Sequence, residues 1–347
     1  MLRLGVVAGP LGEARTAAAI ARTAEDAGFE LLGLGDNQSL WRDTYVSLTM
    51  AATATSRIRL GPSVTNIVTR HVAVTASAIA SVDEVSGGRA FLGLGPGDSA
   101  VLNVGARPAR LADLERGVSA IREMLTGRDV VDGGQTMRVG WSTRPVPLYL
   151  AAEGPRALEM AGRVADGVFV SYGLSGREIR AAEQLIASGA KGAGRDPAAL
   201  EIWHSARVSV ADSEAEAIRN ARTAMASVAH HALRLSPETR GVPVELLPSL
   251  QQLNERYRPA EHARFGESAN AALVQELGLM PYLLGRYALA GTPEQCAWRL
   301  SELAQSGIRR LLLMFAGPDL EGQIRRWRQD VMPLAEAGTF AVSPDSP

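Results

Sequence analysis

Several apolar runs in this chain end in residues that could hold a ligand or move a proton. Leu31-Leu32-Gly33-Leu34-Gly35 ends in Asp36-Asn37, Leu60-Gly61-Pro62-Ser63-Val64 ends in Thr65-Asn66, and Ala90-Phe91-Leu92-Gly93-Leu94-Gly95-Pro96-Gly97 ends in Asp98. Asp36 and Asp98 are carboxylates that can exchange a proton when a pocket tunes them. Asp36 reads either as a pocket carboxylate or as a cap partner for the helix that Asp43-Thr44 begins. The stretch Gly93 to Asp98 is not a dinucleotide fingerprint, because the third glycine is at the wrong spacing and Asp98 would sit where a pyrophosphate must go. It reads either as a Gly/Pro turn closing a strand or as a loop whose backbone presses on a flat ring, with Asp98 aimed into the pocket. Ala151-Ala152-Glu153-Gly154-Pro155-Arg156 differs in kind. Proline at the first helical position leaves the next N–H groups and the positive helix end facing an anion, and Arg156 adds charge beside them. The following strand ends Val170-Ser171-Tyr172-Gly173. In a barrel of this register, two adjacent loops of this kind late in the chain form a phosphate site.

His71 opens a helix and reads as a local hydrogen-bonding residue, and His230-His231 form a notable pair. The sequence contains no HExxH, no paired cysteines, no Gly-x-Ser-x-Gly elbow and no P-loop. These absences disfavour metal-dependent hydrolysis, a serine nucleophile and nucleotide triphosphate chemistry.

Eight apolar strands are needed to position such ends, and eight are legible, near Leu2–Ala8, Leu31–Gly35, Ile58–Val64, Ala90–Gly95, Leu148–Ala152, Gly167–Ser171, Glu201–Val210 and Arg310–Phe315. Helical periodicity follows each, over Ala14–Ala27, Thr44–Thr55, His71–Val85, Leu111–Leu125, Pro155–Val164, Gly176–Gly192, Ser213–Ala232 and Leu320–Ala337. In the third helix Val72, Ala76, Ile79, Val82 and Val85 form one stripe, with Gly87-Gly88 as the stop signal. This alternation predicts an α/β fold, a (β/α)8 TIM barrel with a helical insertion before the last strand. A hairpin is predicted around Asp132-Gly133-Gly134. The insertion, about residues 230–290, has no strand pattern and reads as a lid with short helices over Val244–Tyr257 and Ala269–Leu277. Gly291-Thr292-Pro293-Glu294 then starts a helix. One domain is expected over 1–341, with a frayed tail over 342–347.

The 347 residues carry a formal net charge of -1 and only 5% aromatics. That balance excludes nucleic acid as a main partner, and no apolar run is long enough to span a bilayer. Cys296 is the only cysteine, so no internal disulfide can form, which suits a reducing cytoplasm.

The series Gly35-Asp36, Leu40-Trp41-Arg42-Asp43, Arg57 through Asn66, Thr69-Arg70-His71, Asp83 through Arg89 and Gly95-Pro96-Gly97-Asp98 resembles the bacterial-luciferase-like flavin and deazaflavin oxidoreductases. It is most similar to their methylenetetrahydromethanopterin-reductase-like branch. The resemblance covers almost the whole barrel, including Gly154-Pro155, Ala165-Asp166-Gly167 and Gly291-Thr292-Pro293-Glu294, and is diffuse in the lid. It implies a cofactor, F420 or alternatively FMN, at the carboxyl ends of the strands. It also implies a non-proline cis bond at Ser63-Val64 backing the ring. Thr65 and Asn66 would hydrogen-bond the ring or its side chain, and Gly97 and Asp98 would flank its edge. Glu153, Gly154, Pro155, Arg156, Tyr172 and Gly173 would bind the phosphate end. Some relatives place a proton-transferring His after the second-strand Asp, whereas this chain has Asn37, which argues against a sugar-phosphate dehydrogenase. Their loop-four Glu is matched by Asp98.

The expected function is an F420-dependent oxidoreductase passing a hydride between the deazaflavin and a small organic substrate that enters under the lid. Asp98 and Asp36 would be the proton-handling residues. The alternatives are a reduced-FMN monooxygenase fed by a separate reductase, and a flavin-binding protein without turnover. A homodimer is expected from the resemblance.

Overall fold

Strands that are apolar on both faces need helices on one side and a filled interior on the other, and a closed parallel barrel supplies both. The computed structural model describes residues 2–9, 12–132, 134–142, 144–234, 237–262, 266, 268–317 and 319–338. Its strands are β1 (Arg3–Ala8), β2 (Leu31–Leu34), β3 (Arg59–Pro62), β4 (Thr65–Asn66), β5 (Leu92–Gly95), β6 (Val130–Asp132), β7 (Gln135–Met137), β8 (Leu148–Ala152), β9 (Gly167–Val170), β10 (Glu201–Val210), β11 (Ala288–Gly291) and β12 (Arg310–Phe315). The main sheet runs β3-β2-β1-β12-β10-β9-β8-β5-β4, and its ladders are parallel. Its two ends, β3 and β4, are consecutive pieces of one strand interrupted at Ser63-Val64, and a parallel bridge joins Leu60 to Ala90. The sheet therefore closes on itself, as the eight predicted strands require. β6 and β7 form the small antiparallel hairpin.

The interior is packed with Leu31, Phe91, Tyr149, Phe169, Trp203 and Leu312. Tyr149 stacks on Phe169 at 5.1 Å, and Phe91 meets Tyr149 edge-on at 5.4 Å. Burying each such side chain contributes roughly 1.5–3 kcal/mol. At the amino-terminal end of the barrel, Arg59 Nη2 donates to Glu201 Oε2 at 2.7 Å and the Tyr149 hydroxyl donates to the same oxygen at 2.8 Å. That polar floor leaves the opposite, carboxyl-terminal end for chemistry.

Local chemistry explains most helix boundaries. Asp43 Oδ1 accepts from Tyr45 N and Val46 N at 2.9 and 3.1 Å, capping the helix Thr44–Ala54. His71 Nδ1 accepts from Ala73 N, the local role predicted for it. Gly87 closes the helix Val72–Ser86 at φ 71°, a left-handed position where glycine avoids a Cβ clash. Thr292 and Gln295 form a reciprocal capping box.

Two expectations are corrected. The insertion was read as having no strand, but it contains β11, which pairs Ala288–Gly291 with Arg207–Val210. β9 pairs β10 only over Glu201–His204, so β11 takes the edge left free beyond it. The run Ala-Leu-Ala-Gly has weak strand propensity, and that free edge supplies the preference its residues lack. A helix over Met280–Tyr287, also unread, leads into β11. The last helix is not continuous: Leu320–Arg326 and Met332–Ala337 are joined by a π turn over Trp327–Val331, in which Trp327 and Val331 are buried. The tail over 342–347 lies outside the described residues. Among the described residues no helix is long and apolar enough to cross a membrane.

Candidate active site

The carboxyl ends of β2, β4 and β5 form one continuous rim. Asp36 follows β2 and is almost fully buried; its Oδ2 accepts from Thr65 Oγ1 at 2.6 Å and from Arg70 Nη1 at 2.9 Å. Arg70 also reaches Asp43 and lies over the Tyr45 ring at 5.0 Å. Asp36 is thus a buried anion with two partners, tied to the strand end that carries Thr65. Asn37 is buried; it donates from Nδ2 to Ser99 Oγ at 2.8 Å and accepts at Oδ1 from Ser39 N at 3.0 Å. Gln38 donates to the carbonyl of Ala100 at 2.7 Å. These bonds pin the loop after β2 to the short helix after β5, across the end of β4. The Ser63-Val64 bond is cis, as the resemblance implied. Asn66 Oδ1 accepts from the backbone N–H groups of Val68 and Thr69 at 2.9 and 2.8 Å, which shapes the turn after β4 and leaves its amide donor to offer elsewhere. Gly97 sits at φ 91°, and a Cβ there would fall 2.4 Å from Val101 Cγ2.

Asp98 precedes that short helix, and its Oδ1 is buried with no hydrogen-bond partner. Arg234 Nη1 stands 3.5 Å away, close enough for an ion pair. Beyond Arg234, the insertion brings uncharged side chains toward it. The Tyr257 ring stacks on His230 at 4.0 Å, and its hydroxyl lies 2.8 Å from His262 Nδ1. His262 Nε2 lies 3.2 Å from Ser227 Oγ, and His230 Nδ1 lies 3.2 Å from Asn254 Oδ1. Burial lowers His230 and pushes His262 down to about 4, while burial raises the Tyr257 phenol above its ordinary value. The imidazoles are therefore neutral near pH 7 and act as hydrogen-bonding groups. Arg234 and Asn254 also line a groove of about 460 Å³ on the insertion, with Leu247 and Leu250 as apolar walls.

The other end of the mouth is cationic. Glu153 Oε1 lies 2.7 Å from His231 Nδ1, and Arg207 Nη2 approaches His231 Nε2 at 3.3 Å. A guanidinium only donates, so this geometry puts the His231 proton on Nδ1, toward Glu153. Burial alone would raise the Glu153 carboxyl, but His231, then Arg240 and Arg207, outweigh it and hold it below the usual carboxylate range. Burial pushes Arg207 down to about 10 and also lowers Arg240. Gly154 caps the helix Pro155–Val164 with proline in its first turn, as predicted. A Cβ on Gly154 would lie 3.1 Å from Arg240 Nη2. Arg156 is exposed, so the guanidinium against Gly154 is that of Arg240. Tyr172 is buried, and its carbonyl accepts from Arg286 Nη2 at 2.9 Å. Gly173, at φ 134°, makes room for the carboxylate of Glu178, which pairs with Arg286 at 3.0 Å.

The structure thus gathers the predicted site residues at one barrel mouth, with one exception, in two groups: Asp36, Ser63 to Asn66, Gly97 and Asp98 toward β2–β5, and Glu153 to Pro155, Tyr172 and Gly173 toward β8–β9; the exception is Arg156, whose side chain is exposed. Sequence reading missed Arg70, Arg207, Arg234, Arg240, Tyr257, His262 and Arg286. The His230-His231 pair was the one visible signal for the insertion's part in the site, since its other polar residues follow no motif.

Residues 3–310 match the model of the luciferase-like monooxygenase family. The chain is 32% identical to a 5,10-methylenetetrahydromethanopterin reductase of Methanolobus tindarius, over 88% of this chain and 92% of that protein. It is 28% identical to an F420-dependent glucose-6-phosphate dehydrogenase of Beutenbergia cavernae, over 99% of this chain and 100% of that one. The solved structure of the coenzyme F420 dependent tetrahydromethanopterin reductase of Methanopyrus kandleri superposes with a TM-score of 0.76 at 25% identity, covering 96% of this chain and 99% of the other.

Proposed function

Because the chain belongs to the luciferase-like monooxygenase family, we propose that it is an oxidoreductase that passes a hydride between coenzyme F420 and a small organic substrate. The observation that carries this reading is a pair of buried polar atoms on one rim that lack hydrogen bonds among the described residues. Asp98 Oδ1, at one end, faces Arg234 at 3.5 Å but accepts no hydrogen bond, and Arg240 Nη1, at the other, donates none. A long coenzyme with a redox ring and a phosphorylated tail would answer both: the ring edge beside Asp98, the phosphate beside Gly154 and Arg240. When bound, the deazaflavin supplies and accepts the hydride.

The protein's own contribution is positioning and proton handling. The β3–β4 junction, Ser63-Val64 followed by Thr65 and Asn66, forms the wall behind the ring, and the Asn66 amide N–H orients it. Asp98 holds or releases the proton that must accompany hydride transfer. Asp36, committed to Thr65 and Arg70, fixes the wall rather than exchanging protons. The insertion excludes water with Tyr257 and the neutral imidazoles, and the groove beside Arg234 and Asn254 leads substrate toward Asp98. Asn37 cannot relay a proton as an imidazole would, so a sugar-phosphate substrate is disfavoured. We place the enzyme in the cytoplasm, where a lone buried thiol such as Cys296 stays reduced, and read it as a homodimer paired through the exposed apolar side chains of helices Thr44–Ala54 and Val72–Ser86.

Titration with F420 and with FMN, followed by absorbance and fluorescence, tests the assignment. Saturable F420 binding is expected, and tight FMN binding with no F420 binding would replace it by a reduced-flavin monooxygenase fed by a separate reductase.

A further inference from the structure

We propose that Arg240, carried by the insertion, supplies the charge that binds the cofactor's phosphate, and that Arg156, on the helix beginning at Pro155, does not. This inference rests on the cofactor reading above but makes a separate claim about this chain's own residues.

The first argument is charge. Around the helix start, the guanidinium groups of Arg207, Arg240 and Arg286 meet the carboxylates of Glu153 and Glu178. Arg286 is matched by Glu178 at 3.0 Å. Arg207 and Arg240 both act electrostatically on Glu153, whose Oε1 is already engaged by His231 at 2.7 Å. Among the described residues, one positive charge is left without an anion. A buried guanidinium that lacks a counter-charge is costly, and a phosphate supplies the missing charge in a shape the planar fork can grip. Burial lowers both Arg207 and Arg240, which fits the same deficit.

The second argument is geometry. Arg240 Nη2 is the heavy atom nearest the missing Cβ of Gly154, at 3.1 Å, and Nη1 is buried without a partner. The guanidinium therefore stands directly over the glycine that precedes the helix. Leu158 N is taken by the carbonyl of Gly154 at 2.9 Å, so the N–H groups of Arg156 and Ala157 remain for an anion. The Arg156 side chain points to solvent, where its charge is screened.

The third argument is how Arg240 is held. Arg286 Nη2 donates to the carbonyl of Arg240 at 2.7 Å and to that of Tyr172 at 2.9 Å. The insertion backbone is thereby fixed to the end of β9 independently of the Arg240 side chain. Arg240→Met should leave that anchorage in place and remove only the charge.

The test compares wild type, Arg240→Met, Arg240→Lys and Arg156→Met. Each is titrated by fluorescence with F420 and with the tail-less deazaflavin (ring and ribityl chain, no phosphate), and melted with and without inorganic phosphate. Arg240→Met should bind F420 roughly 10- to 100-fold more weakly and the tail-less ring within about twofold of wild type. Its stabilisation by phosphate should vanish, and Arg240→Lys should restore part of it. Arg156→Met should match wild type throughout. An unchanged preference for F420 over the tail-less ring in Arg240→Met, or a loss in Arg156→Met instead, would overturn the assignment. Should wild type bind neither chromophore, the cofactor reading fails, and the melting arm decides alone: phosphate stabilising wild type but not Arg240→Met upholds the anion site, and equal behaviour removes it.

Discussion

Glu201 and Asp98 are half-buried acids at opposite ends of the barrel with opposite jobs. At the floor, burial alone would raise the Glu201 carboxyl. Arg59, with hydrogen bonds from Tyr149 and Trp203, outweighs burial and holds it at about 2, against an ordinary 4.5. A depressed carboxyl contributes stability that is fully present above its unfolded value and lost as pH falls through its folded one. The contribution, on the order of 2–3 kcal/mol after allowance for partial exposure, should therefore disappear between pH 4.5 and about 2. Glu201→Gln should lose a similar amount at pH 7 and flatten the acid limb of the stability curve, measured by urea unfolding at several pH values; an unchanged acid limb would refute this. At the mouth, Asp98 Oδ1 accepts no hydrogen bond among the described residues, and its ion pair with the half-exposed Arg234 is long, at 3.5 Å. Asp98→Asn should accordingly unfold within about 0.5 kcal/mol of wild type while turnover falls roughly 10²- to 10⁴-fold. Wild-type turnover in that variant would take Asp98 out of the chemistry.

At the level of elements, the glycines of β2, β3 and β5 explain how an interrupted third strand is packed. A Cβ on Gly61 would fall 2.0 Å from the carbonyl oxygen of Phe91, and one on Gly93 would fall 2.2 Å from that of Pro62. On Gly33 it would strike Ser63 Cβ at 2.4 Å. Two of these three clashes are with backbone, which has no rotamer to escape into. Gly93→Ala should cost about 3 kcal/mol or prevent folding, whereas a surface Gly105→Ala control is strained only by its own φ of 72°. Denaturation midpoints distinguish the two, and a Gly93→Ala midpoint equal to wild type would mean that the strands can separate freely there. The repeated Gly-Leu-Gly of β5 is thus a packing device as well as a turn signal.

For the whole molecule, the outer ring of helices is unevenly finished. Helix Thr44–Ala54 carries no charged residue, yet Val46 and Met50, one turn apart, are 54% and 38% exposed. On the neighbouring helix Val74 is 56% exposed. Exposed apolar side chains on two adjacent helices suit a second copy of the chain. Replacing Val46 and Val74 together by Glu should convert a dimer to a monomer, read by light scattering, with F420 binding retained in each barrel. A wild-type chain that is monomeric at micromolar concentration would dismiss this face.

Much of this was legible before folding was considered. The strands were readable because each is a short apolar run closed by Gly, Asp or Ser, and the caps at Asp43, Gly154 and Thr292 because capping depends on residues within one turn. The strand-end residues Asp36, Thr65, Asn66, Gly97, Asp98 and Gly154 follow from register alone, since every parallel strand delivers its carboxyl end to the same mouth. The three-dimensional fold decided what meets them. β11 exists because β10 has a free edge, a property of the partner strand rather than of Ala288–Gly291. Arg207, Arg234, Arg240 and Tyr257 join the site through contacts between segments distant in sequence, and no local spacing encodes such contacts. Asp36 read from sequence either as a pocket carboxylate or as a cap partner, and the fold makes it an ion-paired brace under Arg70, because a carboxylate's role is set by the charges that packing brings near.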